Sequence, residues 1–177
     1  KIVLTDYSQP TQVNVSSSLI ESNAVKINWS TSQDVNGVDH YNLYILTGDK
    51  TDLQFAKVIS LTQTSYVDRE VLEGWTYRYV VVGVDMIGNV GPASNPSTIA
   101  IPDITRPEPV TNLNAKSLPA GQIELSWNAA KDNVGISYYI ILKSMSPDFK
   151  ETKSYIANTT NLIDSETVNN MTYYYVV

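Results

Sequence analysis

Cysteine is absent from this 177-residue chain. That absence removes disulfide staples, zinc–thiolate centres, iron–sulfur clusters and thiol nucleophiles together. Histidine occurs once, as His40. A multi-histidine metal site is therefore excluded, and a Ser-His-Asp arrangement has a single imidazole to draw on. Positive charge is also scarce: Lys and Arg number 12 against 18 Asp and Glu, a net charge of −6. Phosphate backbones are bound by clustered Lys and Arg, so nucleic acid is not an expected partner. No apolar run approaches the roughly 18 residues of a membrane-spanning helix, and membrane insertion is not expected. What the chain has instead is 12 tyrosines against 2 phenylalanines, set among many Ser, Thr and Asn, a bias towards strands with hydroxyl-bearing surfaces.

The chain repeats itself. Trp29 opens W-x4-D-x2-G-V-x2-Y through Asp34, Gly37, Val38 and Tyr41, and Trp127 opens W-x4-D-x2-G-I-x2-Y through Asp132, Gly135, Ile136 and Tyr139. The offset is 98. Further on, Asp68, Glu70, Thr76, Tyr77, Tyr79, Val80 and Val81 meet Asp164, Glu166, Thr172, Tyr173, Tyr175, Val176 and Val177 at an offset of 96, as a two-residue loop deletion would produce. These matches point to tandem modules. A third set joins Ile2, Leu4, Asp6 and Pro10 to Ile99, Ile101, Asp103 and Pro107 at offset 97. Residues 1–5 therefore read as the last strand of a preceding module. The expected division is 1–8 as remnant and linker, 9–103 as module 1, and 104–177 as a module 2 truncated in its sixth strand, the whole cut from a longer array.

Local patterning has period 2. Val25, Ile27 and Trp29 alternate with Lys26 and Asn28, and Ile123, Leu125 and Trp127 with Glu124 and Ser126. Such alternation predicts half-buried antiparallel strands. Turn signals such as Asn36-Gly37, Gly48-Asp49 and Gly88-Asn89 separate them, and Pro102, Pro107 and Pro109 mark a short stiff linker. The predicted class is all-β, with two tandem sandwiches.

Those residues carry a family resemblance. Each module resembles a fibronectin type III domain, in the form common in secreted bacterial polysaccharide-degrading and cell-surface proteins. The matching features are the strand-B tryptophans Trp29 and Trp127, the D-x2-G-[VI]-x2-Y that follows each, and the run Gly74, Tyr77, Tyr79, Val81, Gly83, Asp85, Gly88 and Asn89. The second copy has Asn170 where the family prefers Gly. The resemblance implies an immunoglobulin-like sandwich with a core of Trp29, Tyr41, Tyr77, Trp127, Tyr139 and Tyr173. Tyr77 and Tyr173 stand where a tyrosine corner belongs, with the ring inside and the hydroxyl bonded to backbone a few residues upstream.

Candidate chemistry is sparse. His40 beside Asp39 could form a general base, but no nucleophile motif accompanies it. The runs Asp132-Asn133-Val134-Gly135 and Asp85-x2-Gly88-Asn89 hold oxygen ligands, yet Asp or Asn before Gly also serves a turn's own backbone. No catalytic residue, metal or cofactor is assigned. A candidate interaction surface comes from strand alternation. If Tyr41, Leu43, Tyr77, Tyr79 and Val81 point inward, then Tyr44, Leu46, Val80, Val82 and Val84 point outward. In module 2 the outward set is Ile140, Leu142, Tyr174 and Val176. The function expected is a non-catalytic spacer in an extracellular or cell-surface multimodular protein, partnered by neighbouring domains. The rival is adhesion to polysaccharide or a surface protein, through those faces or through aromatics such as Trp75 and Tyr138.

Overall fold

A computed structural model describes residues 7–177, and the chain divides into two compact units, one ending at Ile104 and the next beginning at Thr105. The strand expected over residues 1–5 lies outside the described residues. In the first unit the strands are β1 (Val15–Glu21), β2 (Ala24–Trp29), β3 (Val38–Thr47), β4 (Lys57–Leu61), β5 (Ser65–Asp68), β6 (Thr76–Asp85) and β7 (Ser97–Ala100). They form two antiparallel sheets in the orders β1-β2-β5 and β4-β3-β6-β7. In the second unit β8 (Thr111–Leu118), β9 (Gln122–Asn128) and β12 (Asn161–Asp164) form one sheet, in the order β12-β9-β8. There β10 (Tyr139–Ser144), β11 (Lys153–Ala157) and β13 (Tyr174–Val176) form the other, in the order β11-β10-β13.

The alternation read from sequence sets these sheets facing each other. On β2, Val25, Ile27 and Trp29 are buried while Lys26 is exposed. On β3, Tyr41, Leu43 and Ile45 are buried, opposite Gly83, Val81 and Tyr79 of β6. The indole of Trp29 meets the Tyr41 ring edge-on at 5.8 Å, and Trp127 meets Tyr139 in the same way at 5.5 Å. Burying one indole removes about 150–250 Å² from water, so each ring pair seals a gap between sheets that smaller side chains would leave void. The tyrosines are also tied at their hydroxyls: the Ser32 N–H donates to Tyr41 at 3.0 Å and the Ala130 N–H to Tyr139 at 3.3 Å.

Both units carry the tyrosine corner. The Leu72 N–H donates to the Tyr77 hydroxyl at 2.9 Å, and the Val168 N–H to the Tyr173 hydroxyl at 3.0 Å. The corner needs a left-handed residue in the turn before it. Gly74 supplies φ +75°, and Asn170 supplies φ +62° at the matching place. Asparagine is among the side chains that tolerate this region best, which is why the departure from Gly leaves the corner intact.

The entry segment of the first unit is fastened to residues some eighty positions later. The Gln12 amide donates to the Ala93 carbonyl at 2.5 Å and the Asn89 amide to the Ser8 carbonyl at 2.9 Å. Pro10 is buried in the same tuck. A Cβ on Gly91 would stand 2.3 Å from the Pro10 carbonyl oxygen, so only glycine fits there.

Candidate functional site

The acidic residues singled out from sequence are occupied by their own turns. Asp34 accepts from the Asn36 N–H at 2.9 Å, and Asp132 from the N–H groups of Val134 and Gly135 at 2.9 and 2.8 Å. Asp85 accepts from the Ile87 and Asn89 N–H groups at 3.0 and 2.7 Å, and from the Asn89 side-chain amide at 2.8 Å. Burial alone would raise the Asp85 pKa, but the bonds from Asn89, Ile87 and Gly88 outweigh it and hold the carboxyl below its ordinary value. His40 lies within β3, with Nδ1 2.8 Å from the Asp39 carboxylate. Among the described residues no group of three or more His, Cys, Asp or Glu is placed to hold a metal ion.

The outward faces divide between the units, and this corrects one expectation. Leu46, Val80, Val82 and Val84 are buried, and Tyr44 is half-buried. Pointing outward from a sheet does not expose a side chain when chain from elsewhere lies across it. Here the 51–53 segment and the 93–96 segment close over Leu46 and Val80, with Arg78 between them, leaving a hollow of about 230 Å³. The second-unit set lies on β10, β11 and β13. Ile140 is 49% exposed, with Ile156 beside it across β10–β11 at 69%. Tyr174 and Val176 are exposed and Leu142 is half-buried. The remaining assignments fall inside: Trp29, Tyr41, Tyr77 and Trp127 are buried, and Tyr139 and Tyr173 are half-buried. Trp75 and Tyr138 are both about half exposed.

Each unit has a hollow at the tyrosine-corner end, built on one frame with two linings. In the first unit the hollow measures about 340 Å³ and lies among Ile45, Phe55, Lys57, Glu70, Leu72 and Trp75. Lys57 pairs with Glu70, which raises the lysine and lowers the glutamate. Asp68, mostly buried, also lines the hollow and accepts from the Tyr79 hydroxyl at 3.1 Å. Burial, then the Asp68 charge, pushes that phenol well above its ordinary value.

In the second unit the equivalent hollow, about 950 Å³, is charged. Lys153 pairs with Glu166. Tyr175 donates to Asp164 at 2.7 Å. Lys143 takes the place of Ile45, and its Nζ lies 2.7 Å from Asp164, donates to the Glu166 carbonyl at 2.6 Å, and stands 4.3 Å over the Tyr173 ring. Burial would raise the Asp164 pKa, but Lys143, Tyr175 and the Glu166 N–H hold it below its ordinary value. Sequence reading missed this cluster, although the signal was present: Tyr139, Ile141 and Lys143 alternate inward, and a lysine on an inward register calls for a buried anion.

No protein-family profile matches the chain. Over 131 residues it is 33% identical to chitinase A1 of Niallia circulans, a match that covers 71% of this chain and 18% of that enzyme. Over 143 residues it is 27% identical to exoglucanase B of Cellulomonas fimi, covering 76% of this chain and 12% of that enzyme. The chain thus spans less than a fifth of the curated relatives it matches. Among solved structures it resembles the chicken CNTN1 FN1-FN3 domains, with a TM-score of 0.50 and 15% identity, over 94% of this chain and 60% of that one.

Proposed function

We propose that this chain, a tandem of fibronectin type III β-sandwich modules of the kind found in bacterial carbohydrate-active proteins, serves as a non-catalytic spacer and presentation unit in a larger extracellular protein. The observation that supports this reading is the employment of its carboxylates. Glycoside hydrolysis needs two carboxyl groups facing each other across a substrate. Asp34, Asp85 and Asp132 bind the N–H groups of their own turns. Buried Asp68 and Asp164 hold the tyrosine hydroxyls of Tyr79 and Tyr175, and Glu70 and Glu166 hold lysines. The same bonds stiffen the frame. The longest strands, β3 and β6, have 10 residues each, or roughly 33 Å of rigid length at about 3.3 Å per residue. The partners in this reading are the neighbouring domains of the same polypeptide, which the module holds apart while they work on polysaccharide.

A fusion tests it. A polysaccharide-binding domain and a catalytic domain are joined through this chain, or through a Gly/Ser linker of equal residue number. The rigid chain is expected to raise turnover of insoluble chitin or cellulose and to leave soluble oligosaccharide turnover unchanged. Equal rates on both substrates with both linkers would overturn the proposal.

A further inference from the structure

The geometry points to a glycan-contact subsite on the first module, in the hollow at its tyrosine-corner end. Phe55, Leu72 and Trp75 rim that hollow while 64%, 59% and 50% exposed. Single exposed apolar side chains are ordinary on protein surfaces, but an aromatic pair and a leucine gathered around one concavity form a contact site in waiting. Phe55 is carried there by the 3₁₀ turn Leu53–Phe55, and Trp75 by the 72–75 turn that contains Gly74, so both rings stand on short, hydrogen-bonded elements.

The occupant follows from the charges. Lys57, the cation of the hollow, is paired with Glu70, and Asp68 is bonded to Tyr79. With Lys57 paired to Glu70, and Asp68 adding a negative charge that accepts from the Tyr79 hydroxyl and the Glu70 N–H, an anionic ligand finds no free cation among the described residues of the hollow. A neutral ligand with apolar faces and hydroxyl edges fits instead: a pyranose ring lays its C–H face on indole or phenyl, and its hydroxyls reach the Lys57 ammonium, the Glu70 carboxylate and Thr47 at the rim. A volume near the small end of ligand sites holds one or two rings of a longer chain.

The second module is an internal control. Its frame keeps Lys153, Glu166 and Tyr173, but Glu151, Val168 and Met171 stand where Phe55, Leu72 and Trp75 stand in the first. The rim changes together with the inner wall, where Lys143 replaces Ile45. This inference goes beyond the presentation role, since a spacer need not touch the polymer, and its failure would leave the fusion result standing.

The full chain is titrated with cellohexaose, chitohexaose and maltohexaose. Tryptophan emission is the first readout, because Trp29 and Trp127 are buried and Trp75 is not. Retention on insoluble cellulose, chitin and starch is the second. A saturable emission change with at least one hexasaccharide is expected. Phe55→Ala should weaken that binding at least fivefold while the fluorophore remains. Trp75→Ala should abolish retention on the matching polymer, Trp75→Tyr should restore most of it, and Met171→Ala should change nothing. Thermal melts confirm that these surface variants stay folded. No saturable change with any of the three sugars, or equal retention of wild type, Phe55→Ala and Trp75→Ala, would overturn the inference.

Discussion

Ile45 stands opposite Tyr79 across β3 and β6; at the same register of the second module, Lys143 stands opposite Tyr175 across β10 and β13. In both, the tyrosine hydroxyl donates to a buried aspartate, Asp68 or Asp164. The first module completes this bond with an aliphatic wall, the second with an ammonium at 2.7 Å. Among the described residues the first core cluster also gathers Val13, Val71, Val81 and Ile101 around its aromatics, whereas the second rests on Leu125, Trp127, Ile141 and Ala157. The comparison separates frame from filling. Trp–Tyr edge contacts, tyrosine corners and Tyr–Asp bonds recur, while the material between them changes from apolar to ionic.

The largest expected effect breaks the part that recurs. Trp29→Ala and Trp127→Ala should each cost about 3–5 kcal/mol by emptying the space beside Tyr41 or Tyr139. Hydrogen exchange read on β2 and β9 checks this; a smaller loss in the second module would contradict the shared-frame view.

A smaller effect sharpens the part that differs. Lys143→Ile gives the second module the lining of the first, and should destabilise that module by about 3 kcal/mol, because removing one partner of a buried pair leaves the Asp164 carboxylate without its counter-charge. Its signature is acid sensitivity. Asp164 is held below the ordinary aspartate value of 3.8, so its contribution is present above that value and is lost as pH falls through the lowered one. Removing Lys143 removes part of the lowering, so urea midpoints between pH 5 and 2 should fall less steeply in the variant. An unchanged or steeper fall would mean the ammonium is not what holds the carboxylate down.

The smallest effect compares the outer faces. Val82→Thr buries a hydroxyl under the first module's covered face and should cost about 1–3 kcal/mol. Ile156→Thr, at a 69% exposed position on β11 of the second, should stay within about 0.5 kcal/mol. Equal costs would erase the difference between the faces.

Particular residues show what was legible in the sequence and why. The repeat, the sandwich class, Trp29 and Trp127 were legible because a strand's period of 2 and a turn's need for Gly or Asn are local. Tyr77 and Tyr173 were legible through their spacing to the turn. The cover over Val80 was not, because alternation gives direction and says nothing of what crosses above. Trp75 was legible as an exposed aromatic, but its gathering with Phe55 and Leu72 around one rim was not. Residues up to twenty positions apart become neighbours only after β4, β5 and β6 have folded. The Lys143–Asp164 pair lay between: each partner's inward register was readable alone, and their meeting depended on how the two sheets face each other.

The fastening of the entry segment has a mechanical consequence. Tension applied ahead of Ser8 reaches Asn89 and Ala93 through the Ser8 and Gln12 bonds, with Pro10 wedged against Gly91, before it loads the ladder of β1. The module thus meets a pull with a clasp that must shear before β1 can peel, and a load on a tethered neighbour would pass into the 89–94 loop, which is hydrogen-bonded along β6.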